Sequence, residues 1–261
     1  MPRFAANITF LFTELPFLDR FAAAADAGFR GVEFHYPYDV DPAAIVSRLE
    51  RHRLTPVLMN VRAGDHSRGE WGFASAPDRV ETFRLCVTEA IHYALAIGVK
   101  QVNCLAGAVQ GGGDIRASEQ VFVRNMREAA AQFADFGLTL NLEPINTRDV
   151  PGYLVSNTRD AIRLMNDIQA DNLKLQYDWY HMQIMEPDSL ADTMRLLLLA
   201  IGHMQFADAP GRHEPGSGQI DFPALFAHVD AIGYQGWLSA EYRPSGATAD
   251  SLGWMANYLQ E

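Results

Sequence analysis

Cysteine is scarce. Cys86 and Cys104 are the only two, one in a helical pattern and one in a strand pattern, and two thiols in a chain this long make no disulfide framework. A reducing compartment, the cytoplasm, is the expectation. Long apolar runs are missing as well. The longest candidate, residues 196–201, falls far short of the roughly twenty residues that a bilayer span needs. Residues 1–7 read as the start of a strand and not as a signal peptide. Positive charge is outnumbered, 21 basic residues against 32 acidic, for a net charge of −11. That sign repels nucleic-acid phosphates and anionic membrane surfaces, so neither is an expected partner. An anionic small molecule would need local cations to hold it. No G-x-G-x-x-G turn follows the first strand pattern either, which removes the fingerprint of a dinucleotide-binding sheet.

What the chain does have is alternation. Strand patterns fall at residues 4–10, 31–35, 55–60, 100–105, 138–143, 173–178, 202–207 and 237–241. Amphipathic helix patterns fall between them, at 16–27, 42–52, 78–97, 118–136, 157–168, 187–200, 222–232 and 247–259. Gly28, Gly98 and Gly137 mark helix stops. Eight strand–helix units in a chain of about 250 residues predict a single-domain (β/α)8 TIM barrel over residues 1–261. With 48% hydrophobic residues, a substantial core can be buried. An open, doubly wound α/β sheet is the competitor, because periodicity alone does not close a barrel. The run Gly111-Gly112-Gly113 lies in the loop after strand four, where flexibility explains it.

Barrels of this kind carry their chemistry at the C-terminal ends of the strands. Strands five to eight end near Glu143, Asp178, Gln205 and Glu241, at comparable depth. Carboxylate and amide oxygens are hard ligands, suited to Mg²⁺ or Mn²⁺, whereas zinc prefers histidine or cysteine. Each residue also has a plainer reading, since charges end strands wherever solvent begins. For Glu143 the plainer reading is a cap on Asn146 or an ion pair with Arg148. His181 and the run Arg212-His213-Glu214 would then be solvated loop, His203 a core histidine, and Trp71 a loop anchor on the barrel rim. The conjunction over four adjacent strands favours a metal-binding site.

At these residues the sequence resembles a known family. Asn141-Leu142-Glu143-Pro144-Ile145-Asn146, Gln176-Tyr177-Asp178-Trp179-Tyr180-His181-Met182-Gln183 and the stretch from Ala207-Asp208-Ala209-Pro210 to Gly216-Ser217-Gly218 look like the hydroxypyruvate isomerase family. That family belongs to the xylose isomerase-like barrels. Arg3-Phe4-Ala5-Ala6-Asn7, Gly31-Val32-Glu33-Phe34 and Glu241-Tyr242-Arg243-Pro244 resemble it too, so the similarity covers essentially the whole chain. It implies a divalent metal, Mg²⁺ or Mn²⁺, on Glu143, Asp178, Gln205 and Glu241. It also implies that Glu143 and Glu241 double as the acid–base pair, with His181 and Arg212 on the substrate. Related sugar epimerases usually place histidine at the strand-seven position, so Gln205 points to the hydroxypyruvate isomerase branch.

The loop after strand three departs from the family. Members tend to read Asn-x-Pro-x-Gly-Asp-Trp there, whereas this chain has Asn60-Val61-Arg62-Ala63-Gly64-Asp65-His66, then Glu70-Trp71-Gly72. That loop covers the pocket mouth in this architecture, so Asn60 and Glu70 join the expected substrate contacts. Arg243 stands where lysine is common. The expected reaction is an aldose–ketose type isomerisation of a small hydroxy-2-oxo acid, hydroxypyruvate to tartronate semialdehyde, by metal-assisted proton transfer. A 2-oxo-tetronate isomerase or a ketose 3-epimerase on the same site is the alternative. A DNA-repair nuclease of the same superfamily would call for a histidine-rich metal cluster and a basic groove, against scattered histidines and a net charge of −11. A barrel that binds sugar acids without turning them over would be expected to have lost a ligand. Trp71 and Phe73 in the rim loops suit either a lid or a homo-oligomer surface.

Overall fold

A computed structural model describes residues 1–109, 113–187 and 190–258. Eight short strands pair in parallel and in sequence order: β1 (Arg3–Asn7), β2 (Gly31–Glu33), β3 (Thr55–Asn60), β4 (Gln101–Asn103), β5 (Thr139–Leu142), β6 (Leu173–Asp178), β7 (Ile201–Phe206) and β8 (Trp237–Ala240). The last pairs with the first, Ala5 opposite Ser239 and Ala6 opposite Ala240. That pairing closes the sheet and excludes the open doubly wound alternative.

The helices are α1 (Arg20–Asp26), α2 (Pro42–His52), α3 (Val80–Ile97), α4 (Ile115–Ala134), α5 (Thr158–Ile168), α6 (Trp179–Met185), α7 (Leu190–Leu197) and α8 (Phe222–Ala231). Their starts follow from local chemistry. Asp41, Asp114, Asn157 and Asp221 each accept an amide N–H of the first turn, which satisfies a donor the helix itself leaves open. Gly98 ends α3 at φ +86°, a conformation a β-carbon disfavours.

Four expectations need correction. The first strand stops at Asn7, because the Phe10 and Leu11 amides donate back to the Asn7 carbonyl and make a turn. A helix not foreseen, α6, starts directly at the end of β6, with Asp178 Oδ1 capping the Tyr180 amide at 2.9 Å. The helix expected over 187–200 is shorter, α7, and residues 188 and 189 lie outside the described residues. The closing helix expected over 247–259 is a run of 3-10 turns, Thr248–Asn257, interrupted in composition by Gly253; residue 259 is not described. Gly111 and Gly112 also lie outside the described residues.

Two kinds of interior hold this fold. On the outer face of the sheet, Phe4, Phe206, Phe222, Phe226 and Trp254 pack largely edge to face, with Phe206 5.4 Å from Phe226 and 5.2 Å from Trp254 between ring centroids, and Trp179 lies tilted against Phe206, Phe222 and Phe226. Such pairs add to plain burial. Inside the barrel the filling is polar. Hydrogen bonds run from Glu33 on β2 to His203 and Gln205 on β7, strands that are not neighbours, so these side chains meet across the barrel interior. Among the described residues, no helix is long and apolar enough to cross a membrane.

Phe206→Ala empties the centre of the aromatic cluster and is expected to cost about 3–5 kcal/mol, read by urea unfolding. A loss below about 1 kcal/mol would mean that the cluster does not hold the helices to the sheet.

Candidate active site and metal centre

A cavity of about 910 Å³ opens at the C-terminal ends of the strands, where this architecture puts its chemistry. Glu143 and Glu241 lie just beyond β5 and β8, three places apart around a ring of eight strands, and both line the cavity with His35, Asn60, His181 and Arg212. Asp178 and Gln205 are buried and are not among its lining residues. Glu70 is not part of it. Its Oε2 accepts the Asp65 amide at 2.8 Å and its Oε1 pairs with Arg79 at 3.2 Å, so it braces the loop after β3 and does not face a ligand. Trp71 of the same loop does reach the cavity, its ring centroid 4.2 Å from that of His66.

Three buried carboxylates meet here, and their surroundings treat them differently. Glu143 Oε2 accepts from Asn103 Nδ2 at 2.7 Å; it neither caps Asn146 nor pairs with Arg148. Burial, with repulsion from Glu241 and Asp178, pushes its carboxyl far up. Burial likewise pushes Asp178 up, to about 7, against the pull of Arg212. For Glu241 burial works in the same sense, but Arg212 and the bond from His35 outweigh it and hold the carboxyl down at about 2. The contacts explain this. Glu241 Oε2 takes the Arg212 guanidinium, and Oε1 takes His35 Nε2 at 2.6 Å and Asn7 Nδ2 at 3.0 Å.

Arg212 is the cation of the cluster, 3.3 Å from Asp178 Oδ2. It stacks between Phe10 and Tyr180, its guanidinium carbon 5.2 and 5.0 Å from their ring centroids. The run 212–214, open to reading as a solvated loop, is therefore structured. His213 Nδ1 lies 2.7 Å from the Arg243 carbonyl and Glu214 accepts the Ser245 amide.

His181 shows its tautomer. The Asn146 Oδ1 accepts the Arg148 and Asp149 amides, so its Nδ2 is the atom 2.7 Å from His181 Nδ1. The Asn146 backbone N–H points to the same nitrogen. Nδ1 is thus an acceptor, and a neutral ring carries its proton on Nε2. Burial, with Arg212 nearby, pushes the histidine pKa well down, which keeps it neutral. Ligand atoms of Glu143, Asp178 and His181 lie within 4.8 Å of one another, close enough to hold a divalent metal. A metal-bound histidine normally donates its far N–H to an acceptor, and here that nitrogen accepts. The carboxylates are the better donors, and His181 Nε2–H, 3.5 Å from Asp178 Oδ2, is a hydrogen-bond donor at the cavity wall.

Gln205 sits in a closed network. Its Oε1 accepts from Gln176 Nε2 at 2.6 Å and its Nε2 donates to Glu33 at 2.7 Å. His203 is the core histidine foreseen, bonded to Glu33 at 2.7 Å. Sequence reasoning missed Asn7, Glu33, His35 and Asn103 as parts of the site. Three of these end their strands and the other, His35, comes two residues after β2, so position was the available signal.

Residues 21–258 match the family described as the xylose isomerase-like TIM barrel. The chain belongs to this family. Within the xylose isomerase-like barrels it is 44% identical to the hydroxypyruvate isomerase of Escherichia coli K12, over 99% of this chain and 100% of that protein. It is 41% identical to the 2-oxo-tetronate isomerase of Pectobacterium atrosepticum, over 100% and 99%. Among solved structures, a Brucella melitensis protein described as an AP endonuclease of family 2 superposes with a TM-score of 0.96 at 42% identity, over the full length of both chains.

The raised carboxyls carry a pH signature. A carboxyl raised on folding stabilises the chain below its unfolded value, near 4, and that contribution is lost as pH rises through the folded value, about 7 for Asp178. Chelator-treated protein should therefore lose melting temperature between about pH 4 and pH 7, and Asp178→Asn should flatten the slope. Parallel pH profiles for the two proteins would show that Asp178 is not under this strain.

Proposed function

We propose that the protein is a metal-dependent isomerase of short hydroxy-2-oxo acids, converting hydroxypyruvate to its aldehyde isomer or a 2-oxo-tetronate to its 3-oxo isomer through proton transfer between adjacent carbons. The observation that carries this is the opposite treatment of two glutamates on one cavity. Arg212 and His35 hold the Glu241 carboxyl down, whereas burial and its carboxylate neighbours push the Glu143 carboxyl up. A base and an acid flanking one substrate are what such a transfer needs. The names of the relatives, isomerases of hydroxypyruvate and of 2-oxo-tetronate, agree with it.

Glu241 is the base that removes the proton beside the carbonyl. Glu143 stands across the cavity to return a proton to the former carbonyl carbon, while the proton of the adjacent hydroxyl passes to the former carbonyl oxygen. His181 Nε2–H and Arg212 Nη1, 3.3 Å apart, are both donors, so neither satisfies the other. An acceptor oxygen of the substrate placed between them takes both. That use of Arg212 replaces a simple carboxylate clamp, because its Nη2 is already committed to Glu241 and Asp178.

The donor set fits a divalent cation. Three buried carboxylates face one guanidinium, so ionising all three calls for a further counter-charge. Glu143 and Asp178 would hold Mg²⁺ or Mn²⁺ as hard oxygen donors, with Glu241 and Gln205 adjoining. When bound, the cation supplies Lewis acidity that stabilises charge developing on the substrate oxygens. The described free thiols, Cys86 and Cys104, are buried and fit a reducing compartment such as the cytoplasm.

A nuclease, as the Brucella protein's description suggests, is disfavoured by the net charge of −11 and by a cluster with one histidine. Aldehyde formation from hydroxypyruvate should disappear with EDTA and return with Mg²⁺ or Mn²⁺. Glu241→Gln should lower kcat by roughly 10²–10⁴-fold with the melting temperature preserved. A variant within tenfold of wild type would remove Glu241 from the chemistry.

A further inference from the structure

Glu33, at the end of β2, is wholly buried under the site, and the proton transfer itself makes no use of it. Its Oε1 accepts from Asn7 Nδ2 at 2.8 Å and Gln205 Nε2 at 2.7 Å, and its Oε2 from His203 Nε2 at 2.7 Å. Barrel interiors are usually filled by branched apolar side chains, and a buried carboxylate is costly to keep. Its acceptor-only chemistry supplies a reason for it.

An ionised carboxylate accepts and never donates, so an amide beside it must present its NH2 group and turn its oxygen away. At Gln205 this directs Oε1 towards β6, where it meets Gln176 Nε2. At Asn7 the oxygen is already taken by the Thr9 amide at 2.9 Å. One amide proton goes to Glu33, and the second is left for Glu241 Oε1. With both Asn7 protons committed, His35 Nε2 must itself be the donor to Glu241.

We propose that Glu33 is a positioning residue for the reaction, orienting the amides of Gln205 and Asn7 and, through Asn7, holding Glu241 in place. The inference rests on the reading of Glu241 as the base. Glu33→Gln keeps an acceptor oxygen, and Glu33→Met keeps bulk without one. For both variants and wild type we would measure melting temperature, Mn²⁺ affinity by calorimetry, and kcat and KM for hydroxypyruvate. Glu33→Gln is expected within about tenfold of the wild-type kcat. Glu33→Met is expected to lose a further 10–100-fold or so in kcat, with KM little changed and Mn²⁺ bound several-fold more weakly. Equal kcat and equal Mn²⁺ affinity in the two variants would overturn the proposal.

Should Glu33→Met not fold, Asn7→Ala opens the branch to Glu241 and leaves the Glu33–His203 pair. Loss of kcat with KM retained supports the relay, and wild-type kcat overturns it. Absence of turnover in the wild-type protein would overturn the isomerase reading itself, whereas a failure confined to the variants removes only the role of Glu33.

Discussion

Repulsion among Glu143, Asp178 and Glu241, buried together at one end of the barrel, is the constraint to which the surrounding structure answers. Left alone, such groups take up protons. The fold instead supplies a guanidinium on one side and hydrogen-bond donors on the other, and shares them unequally. Arg212 is brought in by a loop whose backbone turns through φ +102° at Gly211 and +57° at Arg212 itself, and is anchored where its carbonyl accepts the Arg243 amide at 2.7 Å. Glu241 receives most of that stabilisation and stays ionised. Glu143, with a single amide donor, does not. Identical side chains thus differ in proton affinity through unequal surroundings.

Stability and chemistry are divided between the two faces of the sheet. The aromatic cluster outside the strands holds helices to the barrel, which lets the inside be polar. There Asn7, Glu33, Gln176, His203 and Gln205 form one hydrogen-bonded network reaching Glu241. A polar network of this kind, in which Gln176 Oε1 and His203 Nδ1 are left without hydrogen-bond partners, costs stability relative to apolar packing but fixes side-chain orientation. Orientation is what a proton transfer over a bond length requires.

Much of the fold was legible because its punctuation is local. Asp41 followed by Pro42 starts α2 and Gly98 stops α3, and these limits, with those of β3 and β6, came out as expected. The helix α6 was not legible, because its cap, Asp178, also reads as a strand-end carboxylate and serves both purposes. Glu143, Asp178 and Glu241 come together from the ends of β5, β6 and β8, and His181 and Arg212, expected only through the family resemblance, lie against them. Glu70 was misplaced because its partner Arg79 lies nine residues on, across a loop with no periodicity. The depth of Gln205 and the parts played by Asn7, Glu33 and His35 depend on hydrogen bonds between strands remote in sequence. No local pattern encodes those. The His181 tautomer, which decides between ligand and donor, depends on how an Asn146 amide faces it.

Solvent-deuterium exchange followed by NMR, with hydroxypyruvate and then a 2-oxo-tetronate, each with and without Mn²⁺, addresses the central claim most directly. Proton transfer from the substrate to Glu241 and back from Glu143, beside a bound cation, predicts metal-dependent deuterium at the carbon next to the carbonyl, appearing together with the isomerised product, an aldehyde from hydroxypyruvate and a 3-oxo acid from the 2-oxo-tetronate. Exchange that ignores the metal, or no exchange with either acid, would contradict it.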